Sequence, residues 1–227
     1  MKKIISIILI ISISLTVLIT ALENNAYNKN FYIEQFWRNN TEEETGKSMD
    51  KLSIIAQSLI DYLKGKGFDE LLLPYFNEKE VAHMRDVQDL FDMARALKYI
   101  SAVVAIVSMV YLALKYDKQT LGRIILFGLF SNHILVIALG LLIATDFTKY
   151  WTIFHHIFFT NDLWLLNPAT DLMIQMLPEQ FFSSMAINIM LSFFIYLGII
   201  QLMGLYYMKR GNKNEKIFKK HLSGKKR

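Results

Sequence analysis

Cysteine is absent from this chain of 227 residues. That excludes disulfides, a thiolate nucleophile, a Cys-ligated metal centre and a lipid anchor built on a modified cysteine. Proline is scarce: Pro74, Pro168 and Pro178 are the three. None falls in a long apolar run, so each run can form an unbroken helix. No Gly-x-Ser-x-Gly elbow occurs, which removes support for a serine hydrolase. Neither His-Glu-x-x-His nor its inverted form occurs, so no spacing announces a metallohydrolase. Gly46-Lys47-Ser48 ends like a phosphate-binding loop, but Thr41 stands where that loop requires Gly. With no nucleotide-binding loop, energy-coupled transport has no support.

What is present is apolar. Hydrophobic residues make up 53% of the chain, and the mean hydropathy is positive. This composition indicates a membrane protein. A hydrocarbon core needs about 20 mostly apolar residues per helix. Four segments satisfy that, giving spans over 1–22 (apolar from residue 4), 98–116, 121–145 and 184–208. Lys2 and Lys3 also allow the first to be a cleaved signal peptide. Against that, the run is long and Thr20-Ala21-Leu22 is a poor cleavage site. The N-terminus, the 115–123 region and the tail after Met208 hold 14 Lys/Arg against 2 Asp/Glu. The loops 23–97 and 146–183, with Lys98, hold 11 against 18. Positive residues stay inside, so both termini and the 117–120 loop are expected in the cytoplasm, and the two longer loops outside. The expected fold is an all-α membrane protein: an antiparallel four-helix bundle with a small extracytoplasmic cap formed by the two loops. The basic tail over 209–227 suits anionic headgroups. Membrane lipids, not nucleic acid, are its expected partner.

Within the first external loop, the run Phe31–Trp37 reads as a short interfacial strand or helix, and Glu42-Glu43-Glu44 as a solvated turn. Residues 50–64 carry Leu52, Ile55, Ala56, Leu59, Ile60 and Leu63 at helical spacing, stopped by Gly65 and Gly67. Thr45 or Ser48 caps that helix. Residues 68–76 read as a loop or brief strand around Pro74. Asn77 is the expected N-cap of the next helix, with Glu78 and Glu80 where its dipole favours acids. Helical spacing places His83, Val87, Leu90, Ala94 and Leu97 on one stripe of a helix that feeds the second span. In the second loop, Trp151, Phe154, Phe158 and Phe159 are interface residues by type. Residues 171–177 form a short amphipathic helix between two prolines.

The chemistry left open is proton transfer by histidine, whose ordinary pKa near 6.5 lets it accept or donate at neutral pH. His83 and His155 or His156 lie in external loops close to spans. Two imidazoles at a lipid interface can act on a lipid ester, or they can be packed, hydrogen-bonded interfacial residues. His133, in the third span, reads as a histidine bonded to a neighbouring helix. A zinc site from His83, one of the 155–156 pair and Asp162 lacks ligand spacing.

Two motifs carry a family resemblance. The first is His83-Met84-x-Asp86-Val87, leading into a membrane helix. The second is Phe154-His155-x-Ile157-Phe158-Phe159, followed by Asn161-Asp162-x-Trp164, Pro168, Pro178-Glu179 and Phe182. With four spans in this orientation, they resemble the lipoprotein intramolecular transacylases of Gram-positive bacteria over essentially the whole chain. The resemblance implies a substrate lipoprotein whose N-terminal cysteine carries a diacylglyceryl thioether and a free α-amino group. The sn-2 acyl chain would move to that amine, leaving an N-acyl, S-monoacylglyceryl product, the lyso-form. It implies no cofactor or metal, and catalysis by His83 and His155. Position 156 varies in the pattern, which selects His155 over His156. Asp86 would fix a tautomer, and Met84, Asn161, Asp162 and Trp164 would shape the pocket. His83 would be the base toward the amine and His155 the oxyanion donor or leaving-group acid, or the reverse. The competing readings are a non-catalytic membrane accessory protein and a metal-dependent membrane hydrolase. One geometric demand follows: a straight helix rising about 1.5 Å per residue puts His83 about 20 Å beyond Leu97. The helix must tilt along the surface, or the membrane boundary must fall early.

Overall fold

The computed structural model describes residues 1–224, with side chains through Arg210. The basic tail expected over 209–227 lies, past that residue, outside the described side chains. Helices and turns account for all regular structure among the described residues: α1 (Lys2–Ala26), α2 (Lys29–Arg38), α3 (Thr41–Thr45), α4 (Met49–Leu63), a 3-10 turn (Asp69–Leu71), α5 (Glu78–Lys115), α6 (Lys118–Gly128), α7 (Phe130–Thr145), α8 (Phe147–Phe158), α9 (Leu172–Met176) and α10 (Glu179–Gly224). Four stretches are long and apolar enough to cross a membrane: α1, α5, α6 with α7, and the described part of α10. The fold is all-helical, as the sequence predicts.

The chain divides into two units. The first gathers residues 1–20, 97–139 and the chain from Leu191. Leu9, Leu112, Leu129 and Leu197 are fully buried there. Small residues bring its backbones together: a Cβ on Gly122 would lie 2.5 Å from the Gly204 carbonyl oxygen, the close approach that glycine permits in apolar bundles. Asn132 Nδ2 donates to Ser14 Oγ at 2.7 Å, and Gln201 Nε2 to the Leu126 carbonyl at 3.0 Å. His133 differs from expectation. Its Nδ1 lies 3.2 Å from the Leu129 carbonyl of its own chain segment, and its ring stacks on Phe194. The third stretch is also not one unbroken helix. It breaks at Leu129, where Asn132 N turns back to the Leu129 carbonyl. Gly128, a weak helix former, precedes the break, and Ser131 Oγ bonds its carbonyl.

The second unit gathers residues 21–96 and 140–190. Its core joins α2, α4, the 68–76 turns, the start of α5, α9 and the start of α10 through Phe36, Leu52, Leu59, Leu72, Val81, Met176 and Phe181 among others. The Phe31–Trp37 run is helical, within α2. Phe31, Tyr32 and Phe36 are buried, at the spacing of one helical face. Ser48 caps α4, accepting from Lys51 N, and Gly65 ends it at φ +71°, a conformation that glycine tolerates. The Leu63 carbonyl near that end accepts from Arg95 Nη2 at 3.0 Å. The triple-glutamate turn is helical, in α3, and residues 68–76 are loop and turns around the 3-10 turn at Asp69–Leu71, with no strand.

The sequence reading assigned no secondary structure to 147–158. These residues form α8. Asp146 caps it by accepting from Lys149 N, and no proline interrupts it before Pro168.

Candidate active site

Two helices of the second unit carry the imidazoles. α5 opens with a capping box. Asn77 Oδ1 accepts from Glu80 N at 3.0 Å, and Glu80 Oε2 accepts from Asn77 N at 2.7 Å. The other Glu80 oxygen accepts from Met173 N at 2.6 Å. One buried carboxylate therefore both starts α5 and holds α9 against it. Burial raises its pKa, opposed by these two backbone donors. Asn77 Nδ2 reaches Asp171 at 3.1 Å, and Lys79 Nζ reaches the Leu165 carbonyl at 2.6 Å. The segment 160–171 is thus clasped to the first turn of α5, one turn from His83.

His83 and His155 converge. Their ring centroids are 6.1 Å apart with planes tilted by 34°. Both rings are buried, at 8% and 5% exposure. Phe159 lies against both, with centroids 5.3 Å from His83 and 5.6 Å from His155. The indole of Trp164 stacks on His155 at 4.6 Å, and that of Trp151 meets it edge-on at 4.5 Å. His155 Nδ1 is 2.7 Å from the Trp151 carbonyl. A carbonyl only accepts, so Nδ1 carries the proton and Nε2 keeps its lone pair. His83 Nδ1 is buried without a hydrogen-bond partner, and so is Trp164 Nε1.

The other sequence candidates separate. Asp86 Oδ2 accepts from Asn161 Nδ2 at 2.9 Å. It is not seen fixing a histidine tautomer; the Trp151 carbonyl does that for His155. Met84 is buried in the hydrophobic core of the unit. Asp162 is exposed, and its carbonyl accepts from Leu165 N. His156 is also exposed, edge-on to Trp164, because adjacent helical residues point about 100° apart. The sequence reading placed Trp151 at the membrane interface and did not give it to His155. The signal was its position four residues upstream on a helix. A groove of about 420 Å³ is lined by Asp86, Asp89, Leu90, Met93, Phe158 and Phe159 among others; neither imidazole lines it, and Phe159, which lies against both rings, is on its wall. Among the described residues, no group of three His, Asp or Glu side chains can hold a metal ion, which is the arrangement that the hydrolase alternative requires.

Nine ionisable residues lie from Glu78 to Arg95 in the first half of α5, and the apolar run of that helix follows them. His83 stands before that run. Burial, reinforced by the neighbouring His155, lowers the His83 pKa to about 4. Burial lowers that of His155 too, opposed by its bond to Trp151. Both imidazoles are neutral at pH 7. The sign for stability follows: the unfolded chain takes up these protons near pH 6.5 and the folded chain only lower. Stability is full above about pH 6.5 and falls as pH drops toward 4, by about 3 kcal/mol for His83. Melting of the detergent-solubilised protein at pH 7 and at pH 4.5 checks this. His83→Phe should show a smaller acid-induced drop than wild type; an equal drop would contradict it.

The sequence of residues 7–182 matches the family model described as lipoprotein intramolecular transacylase Lit. A solved structure of the membrane-integral lipoprotein intramolecular transacylase Lit from Bacillus cereus is 26% identical, with a TM-score of 0.83, covering 93% of this chain and 97% of that one. Two further structures from that organism carry a single histidine replaced by arginine or by alanine, each with a TM-score of 0.80 and 93% of this chain covered. They are 25% and 26% identical, with 94% and 95% of those chains covered. An uncharacterised protein of Aquifex aeolicus is 25% identical over 216 residues, 89% of this chain and 93% of that one.

Proposed function

The chain belongs to the lipoprotein intramolecular transacylase family and is a multi-pass membrane protein; from that premise we propose that it moves the sn-2 acyl chain of a diacylglyceryl-cysteine lipoprotein onto the same cysteine's α-amino group, at the outer face of the membrane. The observation that carries this reading is the convergence of His83 and His155, buried and 6.1 Å apart. The groove supports it. Leu90 and Met93 line it on α5, and α5 runs on from there into its apolar half. Met93 is about 15 Å from His83 along the axis, toward the span. Apolar side chains leading from the imidazoles toward the span suit fatty chains that stay in lipid while the ester reaches the rings.

The chemistry needs no nucleotide, because ester-to-amide transfer is downhill. It needs no acyl-enzyme, because donor and acceptor share one molecule. The α-amino group, with a pKa near 8, is mostly protonated at pH 7 and must lose a proton to attack. His155 is the base. Its Nδ1–H is fixed by the Trp151 carbonyl, so Nε2 presents its lone pair. His83, held neutral by its low pKa, is a poor base and serves as the donor to the ester oxygen. This reverses the first of the two assignments offered by the sequence. His155 passes the ammonium's first proton to water, takes the amine's second proton as the nitrogen attacks, and returns this one to the departing glycerol oxygen. Holding amine and ester in attack geometry adds several kcal/mol. Asp86 and Asn161, bonded to each other, would hold the pocket rim.

The test is expression in a bacterium lacking lipoprotein N-acylation, followed by mass spectrometry of one lipoprotein's N-terminal peptide. One acyl chain on nitrogen and one on glycerol is expected. A peptide that keeps both chains on glycerol would refute the reading.

A further inference from the structure

We infer that Trp164 is a catalytic residue whose indole N–H donates to the carbonyl oxygen of the transferring ester, so that the oxyanion of the tetrahedral intermediate is held by Trp164 as well as by His83. The inference rests on the transacylase reading and adds a second donor to it.

Four buried side-chain polar atoms among the described residues have no hydrogen-bond partner. Two, on Asn39 and Thr41, are near neighbours in the turn from α2 to α3. The other two are His83 Nδ1 and Trp164 Nε1, and both residues flank the ring of His155, at centroid separations of 6.1 and 4.6 Å. An indole N–H can only donate. Leaving it buried and unpaired is destabilising, because the donor gives up its water and gains nothing in return. The segment 160–171 is held at three other points: Lys79 holds the Leu165 carbonyl, Asn161 holds Asp86, and Asn77 holds Asp171. The segment satisfies its neighbours and leaves this one donor open beside the general base. Its Nε1 is closed to water, so its partner must come with a group that displaces the packing around it. The transfer brings one strong acceptor against His155, the ester carbonyl.

The step balances. The ammonium's first proton passes through His155 Nε2 to water; the amine nitrogen then bonds to the carbonyl carbon while Nε2 takes a second proton from it. The carbonyl π pair moves to oxygen, where the Trp164 and His83 N–H groups hold the charge. The pair returns, the bond from carbon to the glycerol oxygen breaks, and His155 gives that oxygen its proton. Trp164 remains an N–H donor throughout. Its stacked face also keeps the His155 ring in plane, so ring shape and N–H must be separated by experiment.

The purified protein is assayed in detergent on a synthetic peptide bearing an N-terminal diacylglyceryl-cysteine. Trp164 is replaced by β-(3-benzothienyl)alanine, which keeps the bicyclic shape and puts sulfur where the N–H was, and separately by Phe. Removing one oxyanion donor typically costs about 10²–10³ in kcat. A fall of about 10²-fold in kcat with KM unchanged within about twofold is expected for the benzothienyl protein, and the Phe variant should be no more active. Full activity of the benzothienyl protein with a slow Phe variant would overturn the inference, leaving Trp164 a packing residue. Failure of the wild-type protein to form any N-acyl product would instead refute the transacylase reading itself.

Discussion

His155→Ala should reduce formation of the N-acyl product to about 1% of wild type or less at pH 7, since general-base help is worth roughly 10²–10⁴-fold. The physical reason is specific to this ring. The Trp151 carbonyl, 2.7 Å from Nδ1, sets the tautomer, and indoles on two sides set its plane. The loss should shrink as pH rises. The substrate amine sheds its own proton near pH 8, so at pH 9 a missing base matters less. The variant should therefore recover about tenfold relative to wild type between pH 7 and 9. Initial rates on the diacylglyceryl peptide across that range check this. A deficit that stays constant with pH would move the base function to another group.

His83→Ala should be comparably inactive at pH 7, by about 10²–10³-fold, the usual cost of a lost oxyanion donor. Its deficit should not shrink at pH 9, because no change in the amine replaces a donor to the ester oxygen. The two variants thus separate along one pH axis, and the reverse pattern would exchange the two roles. Folding should survive, since the imidazole buried in wild type has an unpaired Nδ1. Replacing it removes a buried polar atom as well as packing. A melting temperature measured beside the rates distinguishes a dead enzyme from an unfolded one.

Helix periodicity made much of this architecture readable. The stripe through Leu52, Ile55 and Leu59 is the buried face of α4, and Asn77 caps α5 as its residue type suggests. Periodicity failed where one composition serves two ends. Residues 147–158 mix aromatic, basic and hydroxyl side chains that suit a membrane interface in any conformation, and α8 went unread. Unbroken apolar character between 121 and 145 hid the break at Leu129, which depends on Gly128 and a Ser131 hydroxyl. Within the site, the meeting of His83 with His155 is a long-range contact that no local spacing encodes; motif resemblance suggested it. The role of the Trp151 carbonyl was invisible because every helical residue offers such a carbonyl. Only the buried imidazole four residues on turns that one into a tautomer lock.

The most direct measurement uses a diacylglyceryl-cysteine peptide carrying an isotopic label in its sn-2 acyl chain alone, incubated with purified enzyme in an excess of unlabelled phospholipid. The mechanism built on two converging imidazoles requires the label on the α-amino nitrogen of the wild-type product, undiluted, and on glycerol alone with either histidine replaced. An unlabelled chain on nitrogen, or transfer that continues without His83 or His155, would contradict it.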